Sequence, residues 1–184
     1  MKLHLGCGTR YIPGWVHVDQ VKHEHIDYVC SVDKLPFKDN SADIIYSSHV
    51  LEYFDYQEAE GIVLPEWKRV LKPGGILRLA VPDFEKIAGL YNSLFERGLS
   101  TKMDVFIGLL FGRQLYNNKT CYHKCVYDEK KLSSILCKVG FKRLQLWDWR
   151  QTEHSHIDDC SQAYLPHMDK ENGTLMSLNL EAVK

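Results

Sequence analysis

Leu3-His4-Leu5-Gly6-Cys7-Gly8 opens the chain as a short apolar run into a glycine turn, and Trp15-Val16-His17-Val18-Asp19 follows as a second apolar run closed by an acid. Such a pair reads as two buried strands joined by a tight turn. The first glycine permits the turn, and the second lets main chain approach a ligand with no Cβ in the way. A carboxylate at the tip of the second strand, Asp19, can accept hydrogen bonds from a ribose diol. The dinucleotide fingerprint would need a third glycine where the turn enters a helix, and Tyr11 stands there instead. Thr9-Arg10-Tyr11-Ile12-Pro13-Gly14 contains Pro and Gly and leaves no room for a crossover helix, so it reads as a loop or a single helical turn. A turn between two core strands with no ligand is the plain alternative.

The 184 residues suit one domain with a real core, and 45% hydrophobic with 26% charged residues is an ordinary globular balance. A formal net charge of -1 gives no basic surface of the kind that dominates nucleic-acid affinity. Val105-Phe106-Ile107-Gly108-Leu109-Leu110-Phe111 is too short to cross a bilayer. Leu5-Gly6-Cys7 looks like a lipoprotein cleavage site, but too few residues precede it to make a signal peptide. The six cysteines (Cys7, Cys30, Cys121, Cys125, Cys137, Cys160) show no framework spacing, so they read as reduced thiols, mainly packed as small hydrophobes. The expectation is a soluble cytoplasmic protein.

Strands and helices alternate along the rest of the chain. Ile26–Cys30 reads as a third strand, Leu35–Ser41 as a loop, and Ala42–Ser47 as a strand buried on both faces. Gln57–Leu71 reads as a helix with Val63, Trp67, Val70 and Leu71 on one face, kinked or restarted at Pro65. Lys72-Pro73-Gly74-Gly75 stops it, and Ile76–Val81 is a strand. Asp83 caps a helix striped with Phe84, Ile87, Tyr91, Leu94 and Phe95, with Gly98 past its end. The stretch that follows turns polar and aromatic through Tyr116-Asn117-Asn118. Asp128 caps a helix with Leu132, Ile135, Leu136 and Val139 inward, ended by Gly140. Leu144–Trp149 and Met176–Val183 alternate as outer strands. The sum is an α/β chain: a single doubly wound, mostly parallel sheet with an antiparallel last strand. Ligands bind such sheets at the strand carboxyl ends, where Gly6–Gly8, Asp19, Ser31–Asp33, Ser47–Glu52 and Pro82–Asp83 fall together.

Five blocks then resemble one family. Leu3–Gly8, Val18-Asp19, Leu35–Asp43, Ser48-His49-Val50-Leu51-Glu52 and Arg69–Gly75 are similar to the class I S-adenosylmethionine-dependent methyltransferases, in a small subgroup related to the Methyltransf_11 type. The resemblance covers most of residues 2–83, and the closing Ser177–Ala182 strand fits it. It implies a Rossmann-like fold with S-adenosylmethionine as cofactor and a methyl transfer to O or N of a small molecule. Leu5, Gly6 and Gly8 would meet the methionine part and Asp19 the ribose. Ser31, Val32 and Asp33 would lie beside the adenine, and Ser48 and His49 would line the reacting end. Ser31 departs from the acid many relatives place there, and Tyr53 stands where close relatives often carry a second His after Glu52.

Methyl transfer needs alignment and, for some acceptors, a base. His49 follows a strand end on the ligand edge and titrates near neutrality; Glu52 is on the same face at i+3. Those two are the expected catalytic residues. The plainer readings are a helix-start His and an acid favoured at a helix N-terminus. Asp83 also reads as an N-cap, and His123 as a loop residue of a lid. Cys121-x-His123-x-Cys125 and His154/His156/Cys160 lack the paired spacing of a zinc site, so no metal is expected. Residues 1–184 read as one methyltransferase domain, with a lid or substrate insertion at 84–126. A second variable stretch runs from 150 to 175. Tyr91, Phe95, Phe106, Phe111, Tyr116, Tyr122 and Trp149 could wall a pocket or pack beneath the lid. Expected partners are a small-molecule substrate, with no nucleic acid and no membrane. A cofactor-binding protein without methyl transfer is the alternative, and a nicotinamide oxidoreductase is disfavoured by Tyr11. The acceptor, the atom methylated and the oligomeric state are not legible.

Overall fold

A computed structural model describes residues 1–96, 103–116 and 119–184, with backbone alone at Tyr116. Gly98, Asn117 and Asn118 of the sequence reading lie outside them. The strands are β1 (Lys2–Leu5), β2 (Val16–Asp19), β3 (Tyr28–Val29), β4 (Ala42–Ser48), β5 (Leu71–Pro82), β6 (Gln114–Tyr116), β7 (Lys119–Cys121), β8 (Lys142–Leu146), β9 (Tyr164–Leu165), β10 (Thr174–Leu175) and β11 (Ser177–Val183). The helices are α1 (Tyr56–Glu58), α2 (Leu64–Val70), α3 (Phe84–Glu96), α4 (Met103–Phe111) and α5 (Glu129–Val139).

Seven strands form the central sheet in the order β3-β2-β1-β4-β5-β11-β8. The first five are mutually parallel, and β11 runs antiparallel between β5 and β8. The order reverses at β1, because the chain builds first toward β3 and then toward β8. The carboxyl ends of β1 and β4 therefore part at a switch point, where α/β sheets open a ligand crevice.

The pleat sorts side chains between two faces. Leu3, Leu5, Val18, Ile45, Leu77, Leu79 and Leu180 join one buried cluster with Val63, Trp67 and Val70 of the first helical layer and Leu132, Ile135 and Leu136 of α5. The opposite face carries Ile44 and Tyr46, packed with Ile12, Trp15, Trp147 and Ile157. Loop segments, not helices, cover that side. The connection from β1 to β2 is residues 6–15, a turn and loop with no helix, as its Pro and Gly require. Buried His4 stacks on Tyr46 at 5.1 Å, and the Tyr46 hydroxyl donates to Asp159.

Pro65 is accommodated in the first turn of α2, directly after a π-turn over Ala59–Val63. Its missing N–H therefore falls where the hydrogen-bond ladder is already offset. β5 begins at Leu71, five residues earlier than the sequence suggests. Ala42 pairs with Leu71 and Ile44 with Ile76, so Lys72–Gly75 bulge out of a strand instead of separating it from the helix. Asp128 and Gly140 cap α5 as expected: the Asp128 carboxylate accepts from Lys131 N–H, and Gly140 is left-handed at φ +93°. The outer strand is β8 at Lys142–Leu146, leaving Trp147 to cover the loop-side face.

The α3 stripe is narrower than expected. Ile87 is buried with Phe106 and Met176, and Leu90, Tyr91 and Leu94 pack against them, but Phe84 and Phe95 are exposed. α3 packs on α4, Met176 and Leu165, and among the described residues nothing covers its outer apolar side chains. Packing does not explain the thiols as a group either: Cys7 is buried, while Cys137 and Cys160 are exposed. No helix among the described residues is long and apolar enough to cross a membrane.

Candidate functional site

At the end of β1 the Gly6 N–H donates to Val18 C=O at 2.8 Å, so the turn is stitched to β2. Gly6 and Gly8 have φ of +63° and +54°, a region where a Cβ is strained. Their surroundings differ. A Cβ on Gly6 would sit 2.3 Å from Val50 Cγ2, whereas one on Gly8 would meet nothing within 4 Å. Gly6 thus makes the turn at positive φ and also admits the close approach of Val50. Gly8 faces open space.

Asp19 closes the same turn. One carboxylate oxygen accepts Gly8 N–H and the other accepts Val21 N–H, both at 2.8 Å. Each oxygen can accept a second hydrogen bond, so two acceptor positions remain. The Asp19 carbonyl accepts Cys30 N–H at 3.0 Å, which brings Ser31, Val32 and Asp33 to the same edge. Val32 is buried with its carbonyl held by the Trp67 indole N–H at 2.8 Å, while Ser31 and Asp33 are half-buried.

β4 delivers Ser48 and His49. His49 adopts φ +53°, rare for a residue with a side chain, and its N–H donates to Ala80 C=O at 2.8 Å. Glu52 follows in the 3-10 turn Leu51–Tyr53, fully buried, with neither carboxyl oxygen hydrogen-bonded. It is therefore not a solvated charge at a helix start. His49 Nδ1 approaches Glu52 Oε1 to 3.5 Å, and His123 Nε2 approaches the same oxygen to 3.8 Å. Burial pushes the Glu52 carboxyl up to about 8 and, with the neighbouring His123, brings the His49 imidazole down to about 3.

His123 reaches this cluster on a strap of residues 121–127 that crosses the Leu51–Tyr53 turn. Lys124 N–H donates to Glu52 C=O at 2.8 Å, and Cys125 Sγ donates to Phe54 C=O at 3.1 Å. The His123 side chain is only 7% exposed, so it is not a surface loop residue. Its ring lies against Gly112, where a Cβ would fall 2.1 Å from Nε2. Asp83, by contrast, does act as an N-cap: its carboxylate accepts Lys86 N–H at 3.1 Å.

The remaining aromatic candidates do not converge. Phe106 is core with Tyr91 edge-on at 5.3 Å; Phe95, Phe111 and Tyr122 are exposed; Trp149 lies under Arg150 in the second insertion. The side chain of Tyr116 is outside the described residues. His154 lies beneath Tyr46 on the loop-covered face, away from Cys121 and Cys125. No cluster of three potential metal ligands occurs among the described residues. Two surface clefts of about 630 Å³ lie elsewhere, one between α2 and α5 and one along α5. Sequence reasoning missed Val50, Gly112 and Ser177. Only Ser177 left a trace, as a polar position in the alternation of β11.

Residues 7–79 match the family model Methyltransf_11, described as a methyltransferase domain. A search of curated proteins returns no match. Among solved structures, a SAM-dependent methyltransferase from Archaeoglobus fulgidus is 15% identical with a TM-score of 0.59, covering 100% of this chain and 85% of that one. One from Methanosarcina mazei is 16% identical at 0.58, covering 100% and 91%. The Burkholderia thailandensis 1,6-didemethyltoxoflavin-N1-methyltransferase, with its substrate and S-adenosylhomocysteine bound, is 14% identical at 0.53, covering 100% and 70%. These likenesses give the fold, and the family match gives the domain within it. The residues present suit the cofactor: open space over Gly8 admits main-chain contact, and the two acceptor positions left on Asp19 match the two hydroxyls of a ribose. The family match thus places a methyltransferase domain over residues 7–79, and the fold of the whole chain is similar to that of S-adenosylmethionine-dependent methyltransferases.

Proposed function

We propose that the chain transfers a methyl group to an oxygen or nitrogen of a small-molecule acceptor, as one domain over residues 1–184 with 84–126 as its lid, in the cytoplasm. The observation that carries this reading is the placement of a buried His49–Glu52 pair at the switch point beside the open Gly8 turn. S-adenosylmethionine, when bound, supplies a methyl group already activated on sulfur. Asp19 would accept from the ribose hydroxyls, and Leu5, Gly6 and Gly8 would present main chain to the methionine part. Ser31, Val32 and Asp33 would flank the adenine, with Ser48 and His49 at the reacting end. Once the His49–Glu52 pair has lost its own proton, it would take the proton that the acceptor releases. Alignment supplies the rest of the rate, because the electron pair of the broken bond stays on sulfur.

Two neighbours in fold support a small acceptor. One has 1,6-didemethyltoxoflavin bound, and one from Thermotoga maritima is described as a possible histamine N-methyltransferase. A third, from Haloferax volcanii, was solved with the Trm112 methyltransferase activator. A second reading, cofactor binding without transfer, is favoured by residues 9–15, which form no helix after the Gly8 turn. Calorimetry with S-adenosylmethionine and S-adenosylhomocysteine, followed by transfer of labelled methyl to a panel of amines, phenols and heteroaromatics, separates the two. Binding with turnover supports the transferase. Binding without turnover on the panel, alone or with an activator, supports the second reading, and no binding removes both.

A further inference from the structure

At the end of the sheet, donor and acceptor assignments are forced along one line of side chains. The Asn179 amide nitrogen donates to Ser161 C=O at 3.0 Å. A carbonyl only accepts, so the amide oxygen is the atom turned toward Ser177. Ser177 Oγ lies 2.9 Å from that oxygen and 3.4 Å from Val81 C=O. Both are acceptors, so the single hydroxyl proton goes to one of them. The Ser177 oxygen is left to accept, and His49 Nε2 stands 3.2 Å away. Nε2 therefore carries a proton. The other ring nitrogen, Nδ1, faces Glu52 Oε1. If Nδ1 and the carboxyl were both bare, two lone pairs would oppose each other in a buried site, and the carboxyl would keep an uncompensated charge.

Resting on the reading of His49 and Glu52 as the reactive pair, we propose that Ser177 is a positioning residue: with Asn179 it holds the imidazole as an Nε2–H donor with Nδ1 toward Glu52, so that His49 and Glu52 share one proton and work as a single acid–base unit. The directions in which burial moves the two groups agree, since Glu52 stays protonated while His49 stays neutral. The other titratable groups around the pair are His123 and Cys125 from the strap, Tyr127 at its end, and Cys160 from the second insertion. None of them is a fixed cation. His49 is the more accessible member, with 12% of its side chain exposed against 1% for Glu52, so the unit meets the crevice through the imidazole. Ser177 touches neither an acceptor nor a cofactor in this account; it acts through the ring it orients.

Nitrogen-15 NMR of histidine-labelled protein, without cofactor at pH 7, reads the tautomer directly. The wild type should show His49 as the Nε2–H form. Ser177→Ala should lose that preference, with Nδ1–H appearing; Ser177→Thr, which keeps the hydroxyl, should restore it. Glu52→Gln should keep the Nε2–H form, because an amide can donate to Nδ1, but should lose the carboxylic-acid infrared band of the wild type. An Nδ1–H tautomer in the wild type overturns the proposal whether or not the variants fold, and so does an unchanged tautomer in Ser177→Ala. Because the readout needs no cofactor, its failure is separable from failure of the transferase reading, which shows as absent S-adenosylhomocysteine binding.

Discussion

Replacing Asp19 by Asn changes one oxygen into an amide nitrogen and little else. Both oxygens of the native carboxylate accept main-chain N–H groups at 2.8 Å, from Gly8 and from Val21. Whichever way the Asn turns, its NH2 faces one of those donors. One hydrogen bond to a charged group is lost and a buried N–H is left unmatched, since the side chain is 5% exposed. Such a bond contributes about 1.5–3 kcal/mol. For a chain of this size that corresponds to a Tm lowered by about 3–12 °C. The same substitution removes one acceptor from the ribose diol, so S-adenosylhomocysteine should bind about 10- to 150-fold more weakly. Differential scanning fluorimetry reads the first effect and calorimetry, performed well below the lowered Tm, reads the second. A Tm within about 1 °C of wild type would refute the closing of the Gly8 turn by Asp19. A lowered Tm with unchanged affinity would refute the ribose assignment alone.

Gly6→Ala should destabilise by about 2–4 kcal/mol, from positive φ and the Val50 overlap together, and adding Val50→Ala should recover only the overlap, as denaturant unfolding would show. Gly8→Ala should cost about 1–2 kcal/mol from φ alone yet weaken S-adenosylhomocysteine binding, because its Cβ points into free space; equal affinity would mean that nothing binds there. The His49–Glu52 pair sets a pH dependence. Unfolded, Glu52 ionises near 4.5 and His49 near 6.5; folded, they move to about 8 and about 3. Between pH 4.5 and 6.5 both states hold one proton on the pair, so its contribution is flat. From 6.5 to 8 only the folded pair keeps the proton, so stability falls as pH rises, at up to about 1.4 kcal/mol per pH unit. Below 4.5 the unfolded pair takes up a second proton, and stability falls as pH falls toward 3. Glu52→Gln should abolish the loss between 6.5 and 8 in urea titrations; the same slope in both proteins would contradict the burial of an acid there. Gly112→Ala should push the His123 ring off Glu52 and lower turnover about 10- to 100-fold with S-adenosylhomocysteine affinity unchanged, and a normal turnover would leave the strap without a role in the reaction.

Much of the sheet was legible because its inner strands are short apolar runs closed by Gly, Asp or Pro, near-continuous because both faces are buried. The loop nature of residues 6–15 followed from Pro13 and Gly14 for the same reason. Boundaries were less legible where local signals conflict. Lys72-Pro73-Gly74-Gly75 is a stop in any one-dimensional reading, yet β4 carries pairing past it by bulging those residues outward. The apolar stripe of α3 was over-read because periodicity says which residues share a face but not whether another layer meets that face, and Phe84 and Phe95 are exposed among the described residues. At the site, Gly8 and Asp19 were found from turn chemistry and Glu52 from helical spacing. The partner of Glu52 from the strap, His123, is 71 residues away in sequence, and the partner of His49, Ser177, is 128 residues away. Neither contact has a local signature. A glycine that meets a ligand and one that admits the close approach of Val50 look the same in sequence, so the Val50 contact at Gly6 was not legible.

The account stands on adenosine being held between the Gly8 turn and the Asp19 carboxylate. A crystal structure of the protein with S-adenosylhomocysteine tests this most directly. The ribose hydroxyls should each lie within hydrogen-bond distance of one Asp19 oxygen, with the adenine against Val32 and the sulfur toward His49. Adenosine bound elsewhere, or a crevice still empty at saturating ligand, would contradict it.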